Sequence, residues 1–268
     1  MAESIDAAFA VAREQGRAAL MPYLMGGFPD LDTSLAVAEA YADAGADLIE
    51  LGVPYSDPLA DGPVIHAAAT RALEAGATLE SVLEICRRIG DRVPVIPMAY
   101  TNMALARGAE RFASELAEAG AAGGIVPDLP LEEGGEVAAA LRSAGLALVP
   151  LVAPTTPPER RARICAQAEG FVYLVSDTRT TGERERLPDE LAELVRATQA
   201  DSPVPVAVGF GIGTPEQAAD VGSVADGVIV GTRLVRAVGE SDGAAEAAEA
   251  VASFIAECRD RMSRVSTR

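Results

Sequence analysis

Short apolar stretches rich in β-forming residues recur along the whole chain, separated by helical patterns. They lack the alternation of polar and apolar residues that marks a strand with one exposed face. We therefore interpret them as strands of a parallel sheet that is buried on both faces. The eight stretches span residues 21–27, 46–52, 93–100, 121–128, 146–154, 171–177, 204–211 and 225–232.

The helical patterns between these stretches mostly end in a glycine just before the next strand, where a left-handed residue ends many helices. Eight strand–helix units in 268 residues match the size of a (β/α)8 barrel, the TIM barrel. An open, doubly wound sheet is the alternative, but it carries its glycine fingerprint at the first strand–helix turn. Here the glycine-rich turns follow the last two strands, which favours the barrel.

Two more helical patterns lie outside the eight units, one before the first strand and one from Ser241 to about Met262. No linker or low-complexity tract divides the chain. The prediction is thus a single α/β domain over residues 1–268, a (β/α)8 TIM barrel with extra N-terminal and C-terminal helices.

Few side chains are available for chemistry. The sequence contains no lysine, which excludes a Schiff base and covalently held pyridoxal phosphate. It has one histidine, His66, and three widely separated cysteines, without CxxC or HxxxH spacing. We therefore predict no metal site, although a site built from carboxylates alone stays open. Aspartate, glutamate, tyrosine, serine, threonine and arginine remain as candidate catalytic residues.

The formal net charge of −18 repels nucleic acid and anionic membranes, which bind proteins through basic side chains. No apolar run reaches the ~18 residues of a membrane helix. The N-terminal residues carry acids and have helical spacing, unlike a secretory signal. We expect a cytoplasmic protein without nucleic-acid or membrane partners, in which any phosphate is bound by backbone N–H groups or single arginines.

Glu50 is the clearest single candidate. It lies between Ile49 and Leu51 in the second apolar stretch, where burying an unpaired charge costs several kcal/mol. A barrel binds its ligand at the C-terminal ends of its strands, where Glu50 would lie. An inward carboxylate there would have a raised pKa suited to proton transfer. The alternative is a glutamate that faces outward and pairs with an arginine.

Asp61 follows in the proline-rich loop after Glu50, and spacing alone gives it two interpretations. It could cap the next helix, with Pro63 in the first turn. It could equally be a second acid or base at the barrel mouth. Loss of a cap costs about 0.5–2 kcal/mol of stability, whereas loss of a general acid or base costs ~10²–10⁴ in rate.

Glycines in 208–217 and 228–235 predict an anion site, because the loops after the last two barrel strands commonly bind phosphate. Nucleotide binding and plain tight turns are the alternatives. The polar segment 175–190 follows the sixth stretch and is either a solvated loop or a lid that closes over the site.

The sequence resembles the family of tryptophan synthase α subunits along nearly its whole length. The matching motifs are "ELGVPYSDPLADGPVI", "PYLMGGFPD", "GGIVPDLPLEE", "LVAPTTP" and "VGFGIGTPEQ", in the family's order. The resemblance implies a (β/α)8 barrel, without a cofactor of its own, that cleaves indole-3-glycerol phosphate into indole and glyceraldehyde 3-phosphate. It also implies a β-subunit partner that carries pyridoxal phosphate, in an α2β2 tetramer.

The resemblance assigns the site residue by residue. It implies that Glu50 and Asp61 are the catalytic acids. Tyr173 would face the indole and Thr181 would contact Asp61; Tyr23 and Tyr100 are expected in the same substrate site. The phosphate would be bound by Gly182, Phe210, Gly211, Gly213, Gly231 and Thr232, and the partner interface would include Pro58, Asn102 and Pro130.

The chain departs from the family at Asp177 and Arg179, in place of an arginine and a glycine, and at Met103, in place of a proline. A barrel that only activates its partner, and a phosphosugar isomerase or aldolase, are the alternative functions. Our mechanistic hypothesis is that Glu50 protonates the indole ring and later accepts the glycerol hydroxyl proton. Asp61 would then stabilise the positive charge at the indole nitrogen.

Overall fold

The computed structural model describes residues 2–175, 189–209 and 211–265. Within them all strand pairings are parallel, and the predicted apolar stretches form the strands, with ends trimmed by a few residues. The strands are β1 Ala19–Met25, β2 Ile49–Gly52, β3 Val95–Met98, β4 Gly123–Ile125, β5 Ala147–Val149, β6 Leu151–Val152, β7 Val172–Val175, β8 Val206–Gly209 and β9 Gly227–Val230.

The sheet closes on itself as a barrel. Its order is β5-β4-β3-β2-β1-β9-β8-β7-β6, and β5 and β6 are consecutive in the chain, so the two ends of the sheet meet at Pro150. Proline has no N–H to donate and divides the predicted fifth strand in two. The carbonyl of Pro150 still accepts the N–H of Tyr173 at 2.9 Å, which joins this strand to β7. The predicted TIM barrel is confirmed.

Helices surround the barrel, and additional helices lie at both ends of the chain as predicted. The described helices are α1 Ala2–Glu14, α2 Leu31–Asp43, α3 Pro63–Glu74, α4 Leu79–Ile89, α5 Thr101–Arg107, α6 Ala109–Glu118, α7 Gly135–Ser143, α8 Pro158–Cys165, α9 Asp189–Asp201, α10 Pro215–Gly222, α11 Thr232–Glu240 and α12 Ala244–Val265. In the described part of the chain, none of them has the length and apolar character needed to cross a lipid bilayer.

The barrel interior is apolar below the site and is closed from the N-terminal end by α1. Ile5 and Phe9 of this helix are buried in the same cluster as inward residues of the strands, among them Met21 and Ile229. The rings of Phe9 and Phe171 lie 5.7 Å apart. A larger apolar cluster lies between the strands and the outer helices. Because these residues fill the lower barrel, the space for a ligand lies toward the opposite end.

A buried ion pair fixes that lower end. Asp47 accepts from two guanidinium nitrogens of Arg17, at 2.5 and 2.8 Å, and from the backbone N–H of Leu20 at 2.7 Å. The side chains of Arg17 and Asp47 are 1% and 8% exposed. The pair therefore connects the segment before β1 to the segment before β2.

Candidate active site

The open end of the barrel holds a cavity of about 740 Å³. This is the end at which barrels place their ligands, and the volume is in the range of small-molecule sites. On one side the cavity continues outward between α7 and α8, where Arg142 and Ile164 line it. The predicted site residues on its wall include Tyr23, Glu50, Asp61, Tyr173, Gly211 and Gly231.

Glu50 faces the cavity from β2 and is 1% exposed. Its Oε2 accepts a long hydrogen bond of 3.5 Å from the Tyr173 hydroxyl. Its Oε1 is buried and has no hydrogen-bond partner among the residues that the structure describes. The outward alternative is therefore wrong: the carboxyl points inward and offers one oxygen to whatever enters the cavity.

The pKa of Glu50 is raised to about 8, chiefly by burial and to a smaller extent by the negative charge of Asp61, while the Tyr173 hydrogen bond opposes the increase. A carboxylate loses more by leaving water than a carboxylic acid does. Near neutral pH the group thus holds its proton and can act as an acid.

Asp61 does not cap α3. The N-cap of that helix is Gly62, which has no side-chain capping bond, and the half-buried Asp61 lines the cavity instead. Burial raises the pKa of Asp61, while a hydrogen bond from Tyr100 and the nearby His66 lower it. The structure therefore favours the interpretation as a site residue over the interpretation as a cap.

Tyr100 lies behind Asp61 rather than on the cavity wall. Its hydroxyl oxygen accepts the N–H of Ala60 at 3.1 Å, and its ring stacks on Tyr55 with a centroid distance of 5.1 Å. Hydrogen bonding by Tyr100 lowers the pKa of Asp61, because it favours the charged form of that carboxyl. Tyr100 is thus a neighbour of Asp61 and does not itself line the cavity.

Tyr23 and Tyr173 line the cavity on either side of Glu50. Tyr23 is the register partner of Glu50 on the neighbouring strand, and burial raises the pKa of both phenols well above their usual value. Each ring lies over a glycine of the next strand: a Cβ on Gly52 would overlap the Tyr23 hydroxyl, and one on Gly209 would overlap that of Tyr173. Both tyrosines are neutral and held in place.

The predicted anion site lies where β8 and β9 end. Gly211, Gly231 and Thr232 line the cavity, and the N-cap of α11 is Gly231, which has no side chain that could cap the helix. Gly213 does not line the cavity, and its N–H donates to the side-chain oxygen of Gln217 at 2.7 Å.

Several predicted residues lie outside the described residues. They are Thr181, Gly182 and Phe210, together with the family departures Asp177 and Arg179. Their roles therefore stay predictions.

The predicted interface residues lie in three adjoining loops of the barrel rim. Pro58 follows β2, Asn102 is in the first turn of α5 after β3, and Pro130 follows β4. Two of these loops are joined, since Asp128 accepts from both the N–H and the hydroxyl of Thr101, at 2.7 and 2.8 Å.

Sequence reasoning missed the apolar wall and the support of the anion loop. Ile65, Met98, Val126 and Leu151 line the cavity, but in sequence they look like any buried residue of a helix or strand. Gln217 was detectable, because it follows the N-cap Thr214 by three residues, the spacing of a capping box. In the described ranges no cluster of histidine, cysteine, aspartate and glutamate has the geometry to hold a metal.

Comparisons with known proteins agree with this geometry. The family model described as tryptophan synthase alpha chain matches residues 9–265. A tryptophan synthase alpha chain of Synechococcus sp. strain CC9902 is 50% identical over 250 residues, which are 92% of this chain and 93% of the relative. One from Roseiflexus castenholzii is 48% identical, over 87% of this chain and 90% of the relative.

Solved structures match along the same length. The structure of Mycobacterium tuberculosis tryptophan synthase has a TM-score of 0.89 at 37% identity and covers 96% of this chain and 97% of its own. The tryptophan synthase subunit alpha of Legionella pneumophila str. Paris has a TM-score of 0.89 at 35% identity, with coverages of 97% and 98%. With sequence, fold and cavity in agreement, this chain belongs to the tryptophan synthase alpha chain family.

Proposed function

We propose that this chain cleaves indole-3-glycerol phosphate into indole and glyceraldehyde 3-phosphate, and that Glu50 and Asp61 perform the proton chemistry. The activity is that of a lyase in tryptophan biosynthesis and follows from membership of the alpha chain family. One observation carries the assignment of roles: a buried carboxyl with a pKa of about 8 presents to the cavity an oxygen that has no hydrogen-bond partner in the described part of the chain.

The first step is protonation of the indole ring. Glu50 donates its proton to C3 of the substrate and becomes a carboxylate, and the ring becomes an indoleninium cation. The chain has no lysine to form a Schiff base, so the cationic ring itself serves as the electron sink. Burial keeps Glu50 protonated before the substrate arrives, which makes it an effective acid near neutral pH.

The second step breaks the bond between C3 and the glycerol side chain. The Glu50 carboxylate takes the proton of the adjacent hydroxyl, the C–O bond becomes the aldehyde carbonyl, and the electrons of the broken bond return to the ring. Indole and glyceraldehyde 3-phosphate leave, and Glu50 has regained its proton, so the cycle balances. Asp61 accepts a hydrogen bond from the indole N–H and stabilises the charge that develops there.

The cavity suits the two halves of this substrate. Met98, Val126 and the rings of Tyr23 and Tyr173 provide an apolar region beside Glu50 for the indole. Gly211, Gly231 and Thr232 at the ends of β8 and β9 are proposed to bind the phosphate through backbone N–H groups. Gly182 and Phe210 would add to this site, and Thr181 would contact Asp61.

A β subunit is the proposed partner, in an α2β2 tetramer in the cytoplasm, and the pyridoxal phosphate belongs to that partner. Solved tryptophan synthase structures are similar to this chain over nearly its whole length, which supports the assignment. Pro58, Asn102 and Pro130 lie in adjoining rim loops, and Leu59 in the first of them is 89% exposed.

The test is indole release from indole-3-glycerol phosphate by the purified chain. Glu50→Gln and Asp61→Asn should each lower the rate by ~10²-fold or more, because each removes one group of the proton chemistry. Asp57→Asn is the matched control: this exposed carboxylate lies in the same loop and contacts Ser56. Near-normal rates in both site variants would end the proposal.

The same assay with an added β subunit separates this function from that of a barrel that only activates its partner. The proposal predicts measurable indole release by the isolated chain and a faster release in the complex. If the chain released no indole under either condition but still accelerated the partner's reaction, the non-catalytic alternative would be correct.

A further inference from the structure

The side chain of Gln217 holds residues 213 and 214 of the loop between β8 and α10. Its Oε1 accepts the N–H of Gly213 at 2.7 Å and the N–H of Thr214 at 3.3 Å. In return, the N–H of Gln217 donates to the Thr214 hydroxyl at 3.3 Å, which completes a capping box at the start of α10. Gln217 thus orders the residues that connect the cavity to the helix.

The bond to Gly213 changes which N–H groups can reach a phosphate. The N–H of Gly213 already donates to the side-chain oxygen of Gln217. In a simple glycine-rich loop, the same N–H would be available to an oxygen of the bound anion. Gly211 stays on the cavity wall, with φ +26. Between them Ile212 is 3% exposed and anchors the loop in the core.

The loop after β8 also lies next to the part of the anion site that follows β9, namely Gly231 and Thr232. Gly209 and Ile229 are register partners, so the segment that leaves β8 runs beside the segment that leaves β9 toward Gly231 and α11. An anion is bound well by backbone donors only when they are fixed before it arrives, since ordering them on binding lowers the affinity. A side chain that fixes one of these two segments should therefore increase the affinity for phosphate.

We infer that Gln217 is a positioning residue for the phosphate of the substrate: it fixes the 211–214 loop through Gly213 and Thr214 so that Gly211 faces the N-terminus of α11. The inference rests on the proposed function, because it assumes a phosphate at the ends of β8 and β9. In this arrangement the N–H of Gly213 supports the loop, and the phosphate contacts Gly211, Gly231 and Thr232.

Two substitutions separate positioning from folding. Gln217→Met keeps the length of the side chain and removes the oxygen that accepts from Gly213. Gln217→Glu keeps that acceptor and suits the N-terminus of a helix, but it places a negative charge beside the loop. Gln217→Glu should therefore preserve thermal stability and still weaken phosphate binding, which a purely structural role does not predict.

The matched control is Gln199→Met. Gln199 is also half-buried, and its side-chain nitrogen donates to Asp226 at 3.1 Å and to the carbonyl of Val224 at 3.3 Å, near the closed end of the barrel. Its loss should lower stability without any effect on phosphate binding.

The probe is glycerol 3-phosphate, with affinity measured by calorimetry. We expect Gln217→Met to weaken binding about tenfold, the effect of one lost hydrogen bond at an ordered site, and Gln217→Glu to weaken it by about tenfold or more through charge repulsion. For indole-3-glycerol phosphate, KM should rise by a similar factor with kcat within about twofold. Indole-3-glycerol without its phosphate should be cleaved equally well by the wild type and Gln217→Met.

Three results would overturn the inference: unchanged binding in Gln217→Met, an equal loss in Gln199→Met, or no binding of glycerol 3-phosphate by the wild type. Failure of the proposed function is a different observation, namely no indole release by a chain that does bind glycerol 3-phosphate. In that case a weaker binding by Gln217→Met would still support the positioning role.

Discussion

At the scale of single residues, Glu50 obtains its chemistry from burial and the absence of a strong partner. A salt-bridged glutamate is ionised at neutral pH, whereas this one has a pKa of about 8 and, within the described ranges, accepts only a long hydrogen bond from Tyr173. Glu50 could be recognised as a candidate from the sequence, because a carboxylate between Ile49 and Leu51 must be paired, protonated or turned outward.

The first prediction concerns that hydrogen bond. The Tyr173 hydroxyl lowers the pKa of Glu50 by stabilising its carboxylate, so Tyr173→Phe should raise this pKa. The descent of kcat on the alkaline side should then move to higher pH, which a pH–rate profile measures. Tyr41→Phe is the control, because the Tyr41 hydroxyl donates to a backbone oxygen at 3.0 Å. A shift to lower pH, or an equal shift in both variants, would contradict this role.

Other residues could not be assigned from sequence. Asp61 had two equal interpretations, because a helix cap and a site acid occupy the same position before a helix. Only the structure shows Gly62 at the cap and Tyr100 behind the carboxyl. The contact between Ala60 and Tyr100 joins residues 40 apart in the chain, and spacing alone does not reveal it.

At the scale of the elements, the strands were predictable because burial on both faces leaves a continuous apolar stretch. The division of the fifth strand follows from Pro150, which cannot donate to a neighbouring strand. Strand ends were less predictable, since apolar residues continue past the ends of some strands, as Val126 does after β4.

The second prediction concerns the glycine on β2. A Cβ on Gly52 would overlap the Tyr23 hydroxyl, so Gly52→Ala must displace the ring that lies beside Glu50. Overpacking of this kind costs about 1–3 kcal/mol of stability, and a shift of ~1 Å in a site can cost ~10²-fold in rate. Urea unfolding and indole release measure the two effects.

Gly124→Ala is the matched control on β4, because a Cβ there meets Leu116 and Leu141 at ordinary distances of 3.6–3.8 Å. We expect this variant to keep its activity. Equal activity in both alanine variants would show that the Tyr23 ring can move without consequence.

The third prediction concerns the ion pair at the closed end of the barrel. Asp47→Asn would leave the Arg17 guanidinium buried without its counter-charge, and breaking such a pair typically costs about 3–5 kcal/mol. The free energy of unfolding should fall by this order, with KM unchanged, because the site is at the opposite end. Asp43→Asn, which removes an exposed partner of Arg92, should cost under about 1 kcal/mol. Similar losses in the two variants would argue against burial as the cause.

At the scale of the whole molecule, α1 determines which end of the barrel is open. Ile5 and Phe9 fill the N-terminal end, so the cavity, with Glu50 and Asp61 on its wall, lies at the other end. The N-terminal helix was predictable from its spacing, but its role in closing the barrel was not, because that contact depends on the completed ring of strands.

The fourth prediction follows from the charge of −18, with 40 acidic against 22 basic residues. Like charges on one compact body repel each other, and salt screens the repulsion beyond a Debye length of about 10 Å at 0.1 M. The thermal midpoint should rise when sodium chloride increases from about 0.05 to about 0.5 M. Calorimetry tests this, and a falling midpoint would show that the surface ion pairs outweigh the net repulsion.

The most direct measurement is the single-turnover rate of indole release as a function of pH, for the wild type and Glu50→Gln. The wild-type rate should fall as pH rises through about 8, because Glu50 then loses the proton that it gives to the ring. Glu50→Gln should be slow, with no such descent over the same range. A wild-type rate that stays level through this range, or a Glu50→Gln rate close to it, would contradict the assignment of Glu50 as the acid.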